Sequence, residues 1–244
     1  MGIEVSRAVV ADPELRLTGA VDKTAGGAKA YGVSVLDNIE LLDAGSVDVL
    51  VDFTHAAGAV ANITWALENG VHAVVGTTGI GEGELAEIAD KADSGDSNVL
   101  IAPNFALGAV LMMRFAQIAA TVFDQCEIIE LHHRGKLDAP SGTATATAQR
   151  VAEAMDADPV PPVQEKGVEG ARGGRIGPVQ IHSVRLDGLV AHQEVLFGSQ
   201  GQTLSIRHDT TDRTCFMPGV VMAIKAVGSL PGLTVGLEGI LPTL

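Results

Sequence analysis

Between residues 15 and 103 the chain alternates short apolar runs with stretches of helical periodicity, and this alternation restricts the fold more than any other feature. The apolar runs are residues 15–22, 47–54, 71–77 and 98–103, and the helical patterns fall at 57–69 and 82–92. Uninterrupted Val, Leu and Ala suit strands covered by helices on both faces, so the alternation predicts βα units around a parallel sheet. The pattern breaks after Pro103. A long apolar helix is expected at 109–123, with Met112, Met113, Phe115 and Ile118 in the core. A strand at 126–133, a helix at about 141–155 and a Pro- and Gly-rich loop over 156–178 follow. Three strand-like runs, 179–186, 190–197 and 203–209, are separated by Asp187-Gly188 and by Ser199-Gln200-Gly201, which predicts an antiparallel meander. A helix at about 216–230 leads into the C-terminal tail.

The formal charge of −14 disfavours nucleic acid and anionic membranes as partners. Its distribution carries more information. Residues 1–103 hold 16 acidic and 5 basic side chains, whereas residues 104–213 hold 13 and 10, so a site for a small anion belongs in the middle segment. No run has the length of a membrane-spanning helix and Met1-Gly2-Ile3-Glu4 is no signal peptide, which makes a cytosolic location the expectation. Cys126 and Cys215 are far apart and suggest neither a disulfide framework nor a thiolate metal site.

The segment 130–143, Glu-Leu-His-His-Arg-Gly-Lys-Leu-Asp-Ala-Pro-Ser-Gly-Thr, sets two histidines, an arginine and a lysine between a strand end and a helix start. Polar groups at a strand's carboxyl end are well placed to meet a ligand. His132 and His133 point to opposite faces of a strand and have no third ligand nearby, so no metal site is expected. Either imidazole can carry a proton near neutral pH, and Lys136 can act as a second acid or clamp an anion. Taken alone, the pair can equally be hydrogen-bonded surface groups. Ser141 reads as a helix N-cap, which would aim the amides of Gly142 and Thr143 outward at the positive end of the helix dipole. Capping alone needs neither the lysine nor the histidines, and their convergence points to an anionic substrate.

Together with this segment, Val75-Gly76-Thr77-Thr78-Gly79, Ala102-Pro103-Asn104-Phe105 and residues 207–219 resemble the 4-hydroxy-tetrahydrodipicolinate (dihydrodipicolinate) reductase family of lysine and diaminopimelate synthesis. The resemblance covers essentially the whole chain. It implies an α/β protein: a Rossmann-like dinucleotide-binding domain of residues 1–103 and 214–244, and an α+β substrate and oligomerisation domain of residues 104–213 with a mixed or antiparallel sheet. It implies that His132 is the catalytic proton donor or acceptor and Lys136 a proton donor, with His133, Gly142 and Thr143 gripping the substrate carboxylates. Gly76, Thr77 and Thr78 would line the nicotinamide side of NADH or NADPH, and Ala102, Pro103, Asn104 and Phe105 the wall beside the reacting ring. Asp22, at the end of the first run, stands where a dinucleotide fold places an acid for the adenosine ribose. Lys23 beside it leaves the choice between NADH and NADPH open. The family implies hydride transfer to a cyclic imine of a small dicarboxylate, water excluded by domain closure, and a homotetramer assembled through the second sheet, for which residues 179–209 are the candidate.

The start of the chain departs from the family pattern, which opens with a buried strand and a Gly-rich turn; Met1-Gly2 matches only the last step of that turn. The expectation drawn is a working protein longer at its N-terminus, its rival a catalytically silent homologue that binds anions or assembles without turnover. A metal-dependent hydrolase using the histidines is a third reading.

Overall fold

The computed structural model describes residues 1–155 and 166–241. In chain order the elements are α1 (Gly2–Ala11), β1 (Ala20–Val21), β2 (Lys29–Ala30), β3 (Val33–Leu36), β4 (Val49–Asp52), α2 (Ala56–Glu68), β5 (His72–Val75), α3 (Glu82–Asp93), β6 (Val99–Ile101), α4 (Leu107–Ala120) and β7 (Gln125–His132). They continue with α5 (Gly142–Ala154), β8 (Gly174–Ile176), β9 (Val179–Arg185), β10 (Ala191–Ser199), β11 (Gln202–Thr210), α6 (Met217–Ala226) and β12 (Leu233–Val235). Two compact units result, Met1–Leu107 with Arg213–Leu244, and Gly108–Asp212. The boundary therefore falls after Leu107 rather than after Pro103.

The first unit is built on a parallel sheet in the order β12-β6-β5-β4. Val71, Ala73, Val75 and Val99 are buried in it with Ala59, Ile63 and Ala66, the stripe that α2 presents at helical spacing. Each such Val or Ile side chain contributes about 1.5–3 kcal/mol on burial. α2 starts where the His55 ring accepts from the Gly58 amide, and α3 where the Glu84 carboxylate accepts from the Gly81 amide. The run 15–22 does not join this sheet as a strand. Only Ala20–Val21 forms a strand, and it pairs with β3 in a separate small sheet, because Arg16, Thr18 and Gly19 interrupt the apolar character that a covered strand needs. The tail contributes β12, a three-residue strand hydrogen-bonded to β6.

The second unit carries a mixed sheet in the order β11-β10-β7-β9-β8. The expected meander is corrected here: β10 and β11 form the anticipated hairpin, but β7 lies between β9 and β10, parallel to β9 and antiparallel to β10. Ile128 of β7 is wholly buried, as are Val179 and Val195 on its neighbours, so the central position goes to the strand with apolar residues to bury against both. β8 lies inside the segment read as a loop; residues 156–165 of that segment fall outside the described residues. α5 packs on β7, β8 and β9 through Ala144, Thr147, Ala148 and Val151. On α4, Met112 and Met113 are core as expected, but Phe115 and Ile118 are 42% and 55% exposed. The buried stripe is Ala109, Met113, Ala116 and Ala120, and residues 115 and 118 fall on the other side of a 3.6-residue period.

Candidate active site

Strand β7 carries Glu130 and His132 two residues apart, hence on one face of the sheet. Glu130 is 0% exposed. Its carboxylate is gripped by the guanidinium of Arg185 at the end of β9, at 2.8 Å to Oε1 and 3.0 Å to Oε2, and Oε2 also meets His132 Nδ1 at 2.5 Å. Burial pushes the Glu130 pKa up, but hydrogen bonds from Arg185, Ser183 and His132 and the charge of Arg185 outweigh that and hold it below the usual carboxylate range. An ionised carboxylate has no proton to give, so Nδ1 must be the donor. Burial lowers the His132 pKa below its ordinary 6.5; the Glu130 hydrogen bond and charge oppose this, and the charges of Lys136 and Arg185 add to it. At neutral pH the imidazole is thus uncharged, with Nδ1–H spent on Glu130 and the lone pair on Nε2.

Beyond His132 the chain turns, the Lys136 amide donating to the His133 carbonyl at 3.1 Å. Lys136 Nζ lies 2.8 Å from Asp138 Oδ1, which keeps the Asp138 carboxyl acidic. Arg185 also donates to the Asp138 carbonyl at 2.6 Å, and a cis Ala139–Pro140 bond then delivers Ser141. The Ser141 hydroxyl caps α5 by accepting from the Ala144 amide at 3.2 Å, so Gly142 and Thr143 open the helix at its positive end. Deeper in α5, buried Thr147 accepts from Gln193 of β10 at 2.8 Å. The structure therefore brings His132, Lys136 and the start of α5 to the carboxyl end of β7. His133 is exposed, just past the strand end, and its side chain lies beside Gly135 rather than in the Glu130–Arg185 cluster. Such an arrangement can hold an anionic group and move a proton next to it.

In the first unit, the carboxyl ends of β4, β5 and β6 carry Asp52-Phe53-Thr54, Gly76-Thr77-Thr78 and Ala102-Pro103-Asn104-Phe105. Buried Asp52 ties the first two together: Oδ1 accepts from the Thr77 hydroxyl at 2.9 Å and from the Thr54 amide at 2.9 Å, and Oδ2 from Asn62 of α2 at 2.6 Å. The Ala102 amide donates to the Val75 carbonyl at 2.9 Å, the Asn104 side chain accepts from the Ala106 amide, and the rings of Phe53 and Phe105 stand 5.5 Å apart. Gly76 is packed face-on against Phe53, where a Cβ would come within 2.0 Å of the ring. Hydroxyls, backbone amides and apolar rings at the carboxyl ends of parallel strands suit the uncharged nicotinamide end of a dinucleotide. Thr78 and Pro103 are exposed there, Thr77 and Ala102 buried. Asp22 is exposed beside the small sheet, and its Oδ1 accepts from the Thr24 amide and hydroxyl at 2.8 and 2.7 Å and from the Ala25 amide.

Sequence reasoning gave no role to Glu130, Arg185, Asp52, Phe53 or Asn62. The two-residue step from Glu130 to His132 is a usable signal, and so is Asp52, an acid inside the apolar run 47–54; Arg185, 55 residues from its partner, offers none. Among the described residues, no group of three or more His, Cys, Asp or Glu could hold a metal ion, and no helix is long and apolar enough to cross a membrane.

Known proteins match this chain along its length. Residues 1–105 match the family model "Dihydrodipicolinate reductase, N-terminus" and residues 108–241 "Dihydrodipicolinate reductase, C-terminus". A 4-hydroxy-tetrahydrodipicolinate reductase of Mycobacterium sp. (strain KMS) is 52% identical over 212 residues, 86% of each chain. The enzyme of that name from Synechocystis sp. is 48% identical, covering 99% of this chain and 94% of its own. A dipicolinate-bound dihydrodipicolinate reductase from Paenisporosarcina sp. TG-14 superposes with a TM-score of 0.89 at 38% identity, covering 99% of this chain and 96% of that one.

Proposed function

The chain belongs to the dihydrodipicolinate reductase family, and from that premise we propose that it reduces 4-hydroxy-tetrahydrodipicolinate to tetrahydrodipicolinate with NADH or NADPH, a step of lysine and diaminopimelate synthesis. The observation that carries the reading is the His132–Glu130–Arg185 constellation beside Lys136 and the N-terminus of α5.

In this reading the second unit binds the dicarboxylate. Gly142 and Thr143 meet one carboxylate with helix-terminal amides, and His133 and Lys136 complete the grip. The Lys136 ammonium gives a proton to the reduced ring, and His132, uncharged at neutral pH, carries protons through Nε2. In the first unit Gly76, Thr77, Thr78, Ala102, Pro103, Asn104 and Phe105 line the site of the dinucleotide, and Asp22 faces its ribose. The reduced nicotinamide, when bound, supplies the hydride. The residues of both units contribute chiefly placement and charge, since a near-attack geometry alone is worth about 7–11 kcal/mol of barrier.

The protein is further read as a cytosolic homotetramer joined through the sheet of the second unit. What supports the assembly is β11, one of the two outer strands of that sheet among the described residues, where Gln202–Ser205 is exposed. Light scattering on purified protein tests the assembly. The activity is tested by mixing the protein with NADH or NADPH and freshly prepared substrate: nicotinamide absorbance falls if the reading is right and stays level if it is wrong.

A further inference from the structure

The charge cluster beneath His132 has a geometry that ordinary burial does not call for. Glu130 sits wholly buried in the central strand of the sheet, and both of its oxygens are held by one guanidinium. That guanidinium is itself anchored on two backbone carbonyls, Val184 at 2.8 Å and Asp138 at 2.6 Å. Arg185 thus ties the strand bearing His132 to the segment that runs from Lys136 through Pro140 into the Ser141 cap. The remaining capacity of Glu130 Oε2 is directed at His132 Nδ1. A planar, bidentate fork restricts the carboxylate to one plane, and the carboxylate in turn restricts the imidazole.

We propose that Glu130, locked by Arg185, is a positioning residue that holds His132 as the Nδ1–H tautomer with its ring fixed and Nε2 available to the reaction. The proposal rests on the catalytic reading of His132 and adds to it the reason that Nε2, rather than Nδ1, does the work. It acts through His132 and needs no contact between Glu130 and substrate. The charged groups that bear on His132 are Glu130 on its own strand, Lys136 on the following turn and Arg185 on β9. Removing the Glu130 charge deletes the influences that raise the His132 pKa, so the imidazole's titration must move to lower pH.

The experiment compares Glu130→Gln, Glu130→Asp and His132→Ala, with 15N spectra of the histidine rings in the unaltered protein and in Glu130→Gln. Expected for Glu130→Gln is a fall in kcat of roughly 10²-fold, within what acid–base placement contributes, with KM within about threefold and the pH profile of kcat/KM displaced to lower pH. Glu130→Asp, which keeps the charge, recovers part of the rate. The unaltered protein should show His132 protonated at Nδ1, and Glu130→Gln a population protonated at Nε2, since an amide can donate to Nδ1. Glu130→Gln with unaltered kcat and pH profile beside an inactive His132→Ala overturns the proposal while the reductase reading stands; an active His132→Ala overturns both. If Glu130→Gln does not fold, the spectrum of the unaltered protein decides, and an Nε2–H tautomer there overturns the proposal.

Discussion

Arg185 and Glu130 meet end on, the two terminal guanidinium nitrogens against two carboxylate oxygens at 2.8 and 3.0 Å, although 55 residues separate them in sequence. The parallel pairing of β7 with β9 creates this meeting, placing Arg185 opposite His132 and Ser183 opposite Glu130. Breaking such a pair by removing one partner leaves an uncompensated buried charge. Arg185→Ala is therefore expected to lose about 3–5 kcal/mol of unfolding free energy, read by urea denaturation. The double variant Arg185→Met with Glu130→Leu should recover much of that stability while remaining inactive.

Stability should fall on acidification in two stages. His132 and His208 have folded pKa values lowered by burial from 6.5, so below that value the unfolded chain takes up protons first and the folded state loses ground. Glu130 and Asp138 have folded values held below 4.5 and 3.8, so their contribution is present above those values and disappears as pH falls through the folded ones. A melting series from pH 8 to pH 4 should show a plateau, then a first decline starting near 6.5 that His132→Asn makes shallower. A melting temperature that rises on acidification from pH 7 to pH 5 would contradict this assignment.

Lys136 is assigned both charge and a proton to deliver. Lys136→Ala should lower kcat by roughly 10²- to 10⁴-fold and raise KM for the dicarboxylate, while dinucleotide binding measured by calorimetry stays unchanged. Lys136→Arg, which keeps the charge but gives up its proton far less readily, should restore KM more than kcat.

Gly76 lies against Phe53 with no room for a methyl group. Gly76→Ala must push the ring or the strand end aside, at a cost of about 1–3 kcal/mol in stability, and should weaken dinucleotide binding in calorimetry. Phe53→Leu in the same chain should relieve the clash and return part of the stability.

Local pattern carried the βα units of the first unit, the Ser141 cap and the segment 130–143, because strand alternation, helix spacing and capping are written in neighbouring residues. What escaped was set by pairing at a distance. The order of the second sheet follows from β7 taking the position between β9 and β10, and three contiguous strand signals read most simply as a meander. Without that order Arg185 could not be matched with Glu130. The three-residue strands β8 and β12 are too short to give a period, and both are framed by glycine or proline. On α4, Phe115 and Ile118 read as core because they belong to a long apolar helical run, whereas their phase on the helix puts them outside. Asp52 ends a strand of apolar residues, and only the pairing of β4 with β5 brings it against Thr77.

If His132 carries protons in a nicotinamide-dependent reduction of a cyclic dicarboxylate, steady-state kinetics of His132→Ala beside the unaltered enzyme will show it. The unaltered enzyme should turn over and the variant lose roughly 10²- to 10⁴-fold in kcat, with dinucleotide binding retained. Equal turnover by the two proteins would rule out a catalytic role for this imidazole.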